Sequence, residues 1–142
     1  MNIKTFSRAG TVTLLALGLL SGCSLLDSAR PSEDSLKAQG TSALSGSQTR
    51  SLLNHARYRW EGANGARGNG VTFGDGNLRI FWETGAVNGK IRFTATGYCS
   101  RFKGVRHNAE DCYRLYPDGP RQYKVFREDG HYSGQITLIQ TR

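Results

Sequence analysis

The stretch Leu78-Arg79-Ile80-Phe81-Trp82-Glu83, with Lys90-Ile91-Arg92-Phe93 shortly after it, decides the fold of this chain. In the first segment Leu78, Ile80 and Trp82 share one face, while Arg79 and Glu83 lie on the other. The second segment alternates apolar and basic residues in the same way. A period of two is that of a β-strand with one face buried and one in solvent. The two segments therefore predict an antiparallel sheet with a single buried face.

Similar short segments continue along the chain, and turn-forming residues separate them. The turn signals are Asn64-Gly65, Gly74-Asp75-Gly76-Asn77, Asn88-Gly89, Pro117-Asp118-Gly119-Pro120 and Asp129-Gly130. Between them lie the predicted strands Arg57–Glu61, Gly70–Phe73, Leu78–Glu83, Lys90–Phe102, Cys112–Tyr116, Gln122–Glu128 and Tyr132–Ile139. About seven short strands predict a mainly β fold, either a small antiparallel up-and-down barrel or a sandwich. The barrel is favoured because closure removes sheet edges that would otherwise aggregate.

One short helix is predicted ahead of the strands. Ser47 is placed to cap it, and Leu52, Leu53 and Ala56 form a narrow apolar stripe along it. Residues 24–46 are rich in Ser, Ala and Gly, which predicts a flexible tether before a β-rich globular domain over residues 47–142. The small size of this domain and its bulky aromatic residues favour a filled interior over a cavity.

The N-terminus indicates where the protein is located. Lys4 and Arg8 precede an uncharged run from Ala9 to Gly22, which is shorter than the roughly 20 residues that span a bilayer. This pattern predicts a signal peptide over residues 1–22. The step Leu20-Ser21-Gly22-Cys23 is similar to the lipobox of bacterial lipoproteins, in which the Cys is acylated; an ordinary signal peptide with a chance Cys is the alternative. The lipoprotein resemblance implies that Cys23 anchors residues 23–46 to the membrane. Ser24, in place of Asp, resembles the sorting pattern for the outer membrane.

The charge balance bears on the partners. The chain has 19 Lys and Arg against 11 Asp and Glu, a formal net charge of +8. Outside the cytoplasm, the expected partners of a basic surface are lipopolysaccharide, acidic polysaccharide, anionic lipid headgroups or another envelope protein. We expect no nucleic-acid partner. Dispersed charge that serves only solubility is the alternative interpretation.

Two cysteines remain after Cys23. In an exported, oxidising setting Cys99 and Cys112 predict a disulfide, which would stabilise the fold by about 3 kcal/mol. Two free thiols are the alternative. A zinc site needs more ligands at close spacing, and His107 alone between the two cysteines does not supply them.

Several aromatic and Gly positions, together with the Cys pair, resemble a known family. The matching motifs are Tyr58-Arg59-Trp60, Val71-Thr72-Phe73, Phe81-Trp82, Gly89-Lys90-Ile91-Arg92-Phe93, Tyr98-Cys99, Asp111-Cys112-Tyr113 and Gln122-Tyr123-Lys124-Val125-Phe126. Their order resembles domain-of-unknown-function family 995 over roughly residues 44–130. The resemblance implies an exported β-rich domain with a disulfide, and it brings no catalytic residues.

Residues for catalysis are sparse in the sequence. Asp129, His131 and Ser133 are the one possible nucleophile–base–acid set, and we expect them not to converge. The acid pairs Glu110-Asp111 and Glu128-Asp129 are adjacent in sequence, whereas glycosidase carboxyls face each other across the sugar. We therefore expect no enzyme activity, no cofactor and no metal ion.

The segment between the two cysteines is the predicted binding site. Arg101, Lys103 and Arg106 lie within six residues of one another, with Tyr98 and Phe102 beside them. Arg side chains suit anionic groups, and a loop closed by a disulfide loses little entropy on binding. We therefore expect a non-catalytic envelope lipoprotein that binds an anionic glycan, lipid or protein. The alternatives are a solvated hairpin without a ligand, an enzyme acting on an envelope glycan, or a small barrel that carries an apolar ligand.

Overall fold

A closed barrel of eight antiparallel strands forms the body of the protein in a computed structural model that describes residues 30–140. Each strand pairs with the next one along the chain, and β8 returns to pair with β1. The strands are β1 Arg57–Gly62, β2 Arg67–Thr72, β3 Asn77–Trp82, β4 Gly85–Phe93, β5 Tyr98–Phe102, β6 Glu110–Pro117, β7 Gln122–Arg127 and β8 Tyr132–Gln140. The predicted up-and-down barrel is confirmed, and closure of the sheet excludes the sandwich.

The eighth strand arises because one predicted segment folds as two. The stretch from Lys90 to Phe102 turns back at residues 94–97, where the Thr94 N–H donates to the Gly97 carbonyl at 3.0 Å. The Asn88-Gly89 signal, by contrast, lies inside β4, and the β3–β4 turn comes earlier, between Trp82 and Gly85. A Cβ on Gly89 would lie 2.6 Å from the Phe102 ring, so this glycine makes room for a ring and does not form a turn.

Two short helices precede the barrel, α1 Glu33–Ala38 and α2 Gly46–Leu53. The cap of α2 is Ser45, not the predicted Ser47. The Gln48 N–H donates to Ser45 Oγ at 3.2 Å, and the Ser45 N–H donates back to Gln48 Oε1 at 2.8 Å. This reciprocal capping box explains the earlier start of the helix. Leu53 of α2 is buried against Leu78 and Ile91, so α2 closes one end of the barrel.

The tether prediction is wrong over α1. Leu36 is only 7 % exposed, and it packs against Tyr116 and Phe126 on the outer surface of β6 and β7. Glu33 is also buried; it accepts a hydrogen bond from the Tyr116 hydroxyl at 2.6 Å and one from Arg114 Nη2 at 3.1 Å. Sequence composition missed this docking because the partners of α1 lie some 80 residues further along the chain.

The predicted signal peptide and Cys23 lie outside the described residues, and their assignment stays a prediction. Within residues 30–140, neither α1 nor α2 has the length and apolar character that a membrane-spanning helix requires.

Candidate functional site

The five residues of the predicted loop site do not form one surface. Tyr98 and Phe102 line the barrel interior together with Ser100, whereas Arg101 between them is exposed on the outside. Successive residues of β5 point to opposite faces, so the aromatic rings cannot pack beside the basic side chains. The expected contact between the aromatic and basic residues is therefore wrong.

Arg106 is also separated from the other two bases. Its Nη1 lies 2.6 Å from Asp111 Oδ2, and the other oxygen of Asp111 pairs with Arg127 at 3.1 Å. The charge of Arg106 is thus compensated within the protein. Arg101 and Lys103 remain from the predicted set of bases.

A basic face on the outside of β3, β4 and β5 contains these two residues. We define it by Lys90, Arg101 and Lys103, and by three amides around them, Asn77, Asn88 and Asn108, which together border one shallow depression. Lys90 lies directly opposite Arg101 in the β4–β5 pair and opposite Asn77 in the β3–β4 pair. Lys90 Nζ donates to Asn77 Oδ1 at 2.5 Å, which holds the ammonium at the edge of the depression. Sequence reasoning missed Lys90 and the asparagines because the register between strands is not visible in the sequence.

Two acids lie near this face: Asp75 accepts a hydrogen bond from the side-chain amide of Asn77, and Glu110 is paired with Arg92. Glu110 lies opposite Arg101 in the β5–β6 register, but its carboxylate takes both hydrogen bonds from Arg92, at 2.8 Å from Nε and 2.6 Å from Nη2. These hydrogen bonds hold the pKa of Glu110 below its usual value. Among residues 30–140, no ion pair includes Lys90, Arg101 or Lys103. Lys90 and Arg101 interact electrostatically with Asp75 and Glu110, respectively, without forming an ion pair, so the positive charge of the basic face is only partly compensated.

The β5–β6 connection next to this face has an uncommon backbone. Arg106, His107 and Asn108 have φ values of 49°, 56° and 60°, a left-handed conformation that costs non-glycine residues about 1 kcal/mol or more each. Asn108 Oδ1 accepts from the Gly104 N–H at 2.8 Å, and the Arg106–Asp111 ion pair fixes the other side. These contacts hold the loop and keep Asn108 at the border of the basic face.

Cys99 and Cys112 face each other across β5 and β6 and form a disulfide, as the sequence predicts. With Glu110 they are the group of possible metal ligands found in the described part of the chain. The two sulfurs are bonded to each other, and a disulfide offers no thiolate to a cation.

Asp129, His131 and Ser133 border one shallow depression beside the β7–β8 turn, contrary to the expectation that they would diverge. Asp129 and His131 lie in the turn between β7 and β8, before β8 begins at Tyr132, so the alternation of faces along a strand does not separate them. His131 Nδ1 lies 3.1 Å from Asp129 Oδ1, but the imidazole is 80 % exposed. No hydrogen bond joins Ser133 to His131 within the described residues. The arrangement lacks the buried acid and the activated hydroxyl of a hydrolase.

The barrel interior is not completely filled, contrary to the expectation. It keeps a cavity of about 150 Å³, which extends from Leu53 at the α2 end to Gly62 and Gly134 at the other end. The inward aromatic side chains line this space and leave its centre open.

The chain was compared with family models, curated proteins and solved structures, and none of them matches it. The resemblance to domain-of-unknown-function family 995 stays a prediction.

Proposed function

We propose that this protein is a non-catalytic lipoprotein of the bacterial outer membrane, anchored through Cys23, whose basic face binds an anionic surface glycan. The observation that carries the proposal is the cluster of Lys90, Arg101 and Lys103, three exposed cations that form no ion pair among the described residues. The asparagine amides around them offer donors and acceptors for sugar hydroxyls. A glycan that carries carboxylate or phosphate groups combines both chemistries.

The docking of α1 supports a position close to the membrane. Because α1 packs on the barrel, only residues 24–32 separate it from Cys23. Fully extended, such a segment reaches about 30 Å. The barrel would therefore lie near lipid headgroups and the sugars attached to them.

The acids favour binding over catalysis. Glu110 pairs with Arg92, Asp111 with Arg106 and Arg127, and Asp129 with His131. Glycoside hydrolysis needs two carboxyls that face each other at roughly 5 to 10 Å across the bond. An enzyme acting on an envelope glycan is the less supported alternative.

A charge-matched pair of variants tests the basic face. The first is Lys90→Ser/Arg101→Ser/Lys103→Ser, and the control Arg57→Ser/Arg59→Ser/Arg67→Ser removes the same charge from the exposed side of β1 and β2. Lipidated protein in nanodiscs is titrated with an acidic polysaccharide such as alginate, and with neutral dextran. At about 0.2–1 kcal/mol for each exposed charge contact, the first variant should lose roughly three- to a hundredfold in affinity and the control much less.

Salt provides a second criterion. Contacts between exposed charges weaken as the Debye length falls below about 8 Å, so the affinity of the unaltered protein should decrease above physiological ionic strength. Equal losses in the two variants, or binding of dextran as strong as that of alginate, would refute a specific site. The anchor is tested separately: labelled fatty acid should enter the natural chain and not Cys23→Ala.

A further inference from the structure

The barrel cavity is partly open to solvent and is lined mainly by aromatic and aliphatic side chains. Its aromatic residues are Tyr58, Trp60, Tyr98, Phe102 and Tyr113, and its aliphatic residues include Leu78, Ile80, Ile91, Val125 and Ile136. Leu53 closes the α2 end, and the cavity extends toward the β1–β2 and β7–β8 connections at the other end. A cavity of about 150 Å³ with apolar walls is large enough to hold one benzene ring.

Three tyrosine hydroxyls inside the barrel have no protein partner. Elsewhere in the described residues the Tyr116 hydroxyl donates to Glu33 and Trp60 Nε1 donates to the Asn69 carbonyl at 3.2 Å, whereas no hydrogen bond occurs for the hydroxyls of Tyr123 and Tyr132. No hydrogen bond of the hydroxyls of Tyr58, Tyr98 or Tyr113 occurs within the described residues. A buried tyrosine hydroxyl normally finds a partner. The three hydroxyls are not among the fully buried polar atoms that lack one, so water reaches them through the cavity, and a ligand with a hydrogen-bonding group can replace that water.

Burial also determines the protonation state of these hydroxyls. It raises the pKa of Tyr58 to about 12, and it raises those of Tyr98 and Tyr113 above their ordinary value. All three therefore remain neutral at physiological pH and can donate as well as accept. No Lys or Arg is among the residues that line the cavity, so an anionic ligand would lose its hydration without gaining an opposite charge. The acid that lines the cavity, Glu61, is itself exposed to solvent.

We propose that the barrel cavity binds a small neutral ligand with one ring and one hydrogen-bonding oxygen, a molecule of the phenol class. The ring fills the apolar space, and its oxygen contacts the hydroxyl of Tyr98 or Tyr113, whose rings stack at 5.4 Å. This site lies inside the barrel, apart from the basic face on the outside, and does not rest on the proposed glycan binding.

Two probes of nearly equal shape, p-cresol and toluene, distinguish the contribution of the ring to binding from that of the hydrogen bond, because only p-cresol carries a hydroxyl. Equilibrium dialysis of the lipidated protein in nanodiscs, against protein-free nanodiscs, measures radiolabelled p-cresol and toluene. p-Cresol should bind saturably, with one site per chain, and more tightly than toluene. Absence of saturable binding of either probe would overturn the proposal.

The variant Tyr98→Phe/Tyr113→Phe removes both hydroxyls without changing the shape of the cavity. It should weaken p-cresol binding about two- to tenfold, the usual contribution of one hydrogen bond, and leave toluene unchanged. Tyr132→Phe is the matched control, since Tyr132 packs on the outer surface against Phe126. The assigned hydrogen bond is wrong if the natural protein and the two variants bind p-cresol with the same affinity. It is also wrong if Tyr98→Phe/Tyr113→Phe weakens the binding of p-cresol and of toluene by the same factor.

A blocking variant tests the location. Val125 is buried and lines the cavity, and Val125→Phe places a ring in the space that the ligand would occupy. Binding of both probes should be lost while the β-type circular dichroism spectrum is retained; retained binding would overturn the assignment to the cavity. If this variant does not fold, the tyrosine pair still decides the proposal.

Discussion

Replacing Gly70 by Ala should destabilise the barrel, although it adds only one methyl group. Gly70 lies opposite Tyr58 in the β1–β2 pair, and the tyrosine ring lies across it on the inner face. A Cβ at position 70 would be 2.3 Å from Cε2 and Cζ of Tyr58 and 2.6 Å from its hydroxyl. Carbon atoms prefer separations of about 3.5–4.0 Å, so the ring would have to move by more than 1 Å.

The magnitude follows from two opposing effects. Overpacking of a barrel interior costs about 1–3 kcal/mol. Replacing glycine by alanine also reduces the conformational entropy of the unfolded chain, which stabilises the folded protein by about 0.4–1 kcal/mol. The cavity beside Tyr58 allows part of the displacement, so we expect a net loss of about 1–2 kcal/mol in the free energy of unfolding.

Equilibrium unfolding in urea, followed by tryptophan fluorescence with the disulfide intact, measures this loss as a lower midpoint at an unchanged slope. Asn69→Ala is the matched control, because Asn69 is the exposed neighbour in the same strand and its change should stay within about 0.5 kcal/mol. In a Tyr58→Leu background the ring is absent, and the cost of Gly70→Ala should largely disappear. A cost that persists there undiminished, or no cost in the natural chain, would refute the steric reasoning.

Three further predictions concern other parts of the fold. Leu36→Ala should reduce the free energy of unfolding by about 2 kcal/mol, because Leu36 is buried on the barrel. The control Lys37→Ala changes an exposed side chain and should not reduce it; equal urea midpoints for the two variants would contradict the docking of α1. Cys99→Ala/Cys112→Ala should lose about 3 kcal/mol of unfolding free energy by the same measurement, because without the disulfide the unfolded chain gains the entropy of an open loop. If reductant does not shift the urea midpoint of the natural protein, the disulfide is contradicted. Burial raises the pKa of Tyr58 to about 12 in the folded protein, so the neutral Tyr58 contributes up to about 3 kcal/mol of stability that is fully present below pH 10 and is lost as the pH rises to 12. Other tyrosines, among them Tyr98 and Tyr116, also have raised pKa values, so the measurement is the difference between the urea midpoints of the natural chain and Tyr58→Phe across this range; an equal decrease in both would contradict the prediction.

The glycines illustrate where the local sequence is ambiguous. Gly65 lies in a turn with φ of 82°, as its neighbour Asn64 suggests. Gly68, Gly70 and Gly89 lie within strands, where a Cβ would clash with the rings of Trp60, Tyr58 and Phe102. The sequence shows the same residue type in both situations. Only the pairing of strands reveals which glycine faces an aromatic ring.

The basic residues of the candidate site likewise include some that the sequence indicates and some that only the pairing of strands reveals. The sequence indicated Arg101 and Lys103 because they are close together and basic. It grouped them with Arg106, which instead pairs with Asp111, and it could not add Lys90, which the β4–β5 register places opposite Arg101. Ion pairs and strand registers join residues that are distant along the chain, so spacing alone does not predict them.

The sequence by itself determined the strand class, the antiparallel order and the disulfide. Alternation with a period of two and short turns are local properties, and Cys99 and Cys112, the two cysteines of the β-rich segment, leave one pairing. The tertiary structure alone decided the cavity, the basic face and the docking of Leu36 on Tyr116 and Phe126. These features depend on how closure of the barrel brings distant side chains together, and on the volume that their packing leaves unfilled.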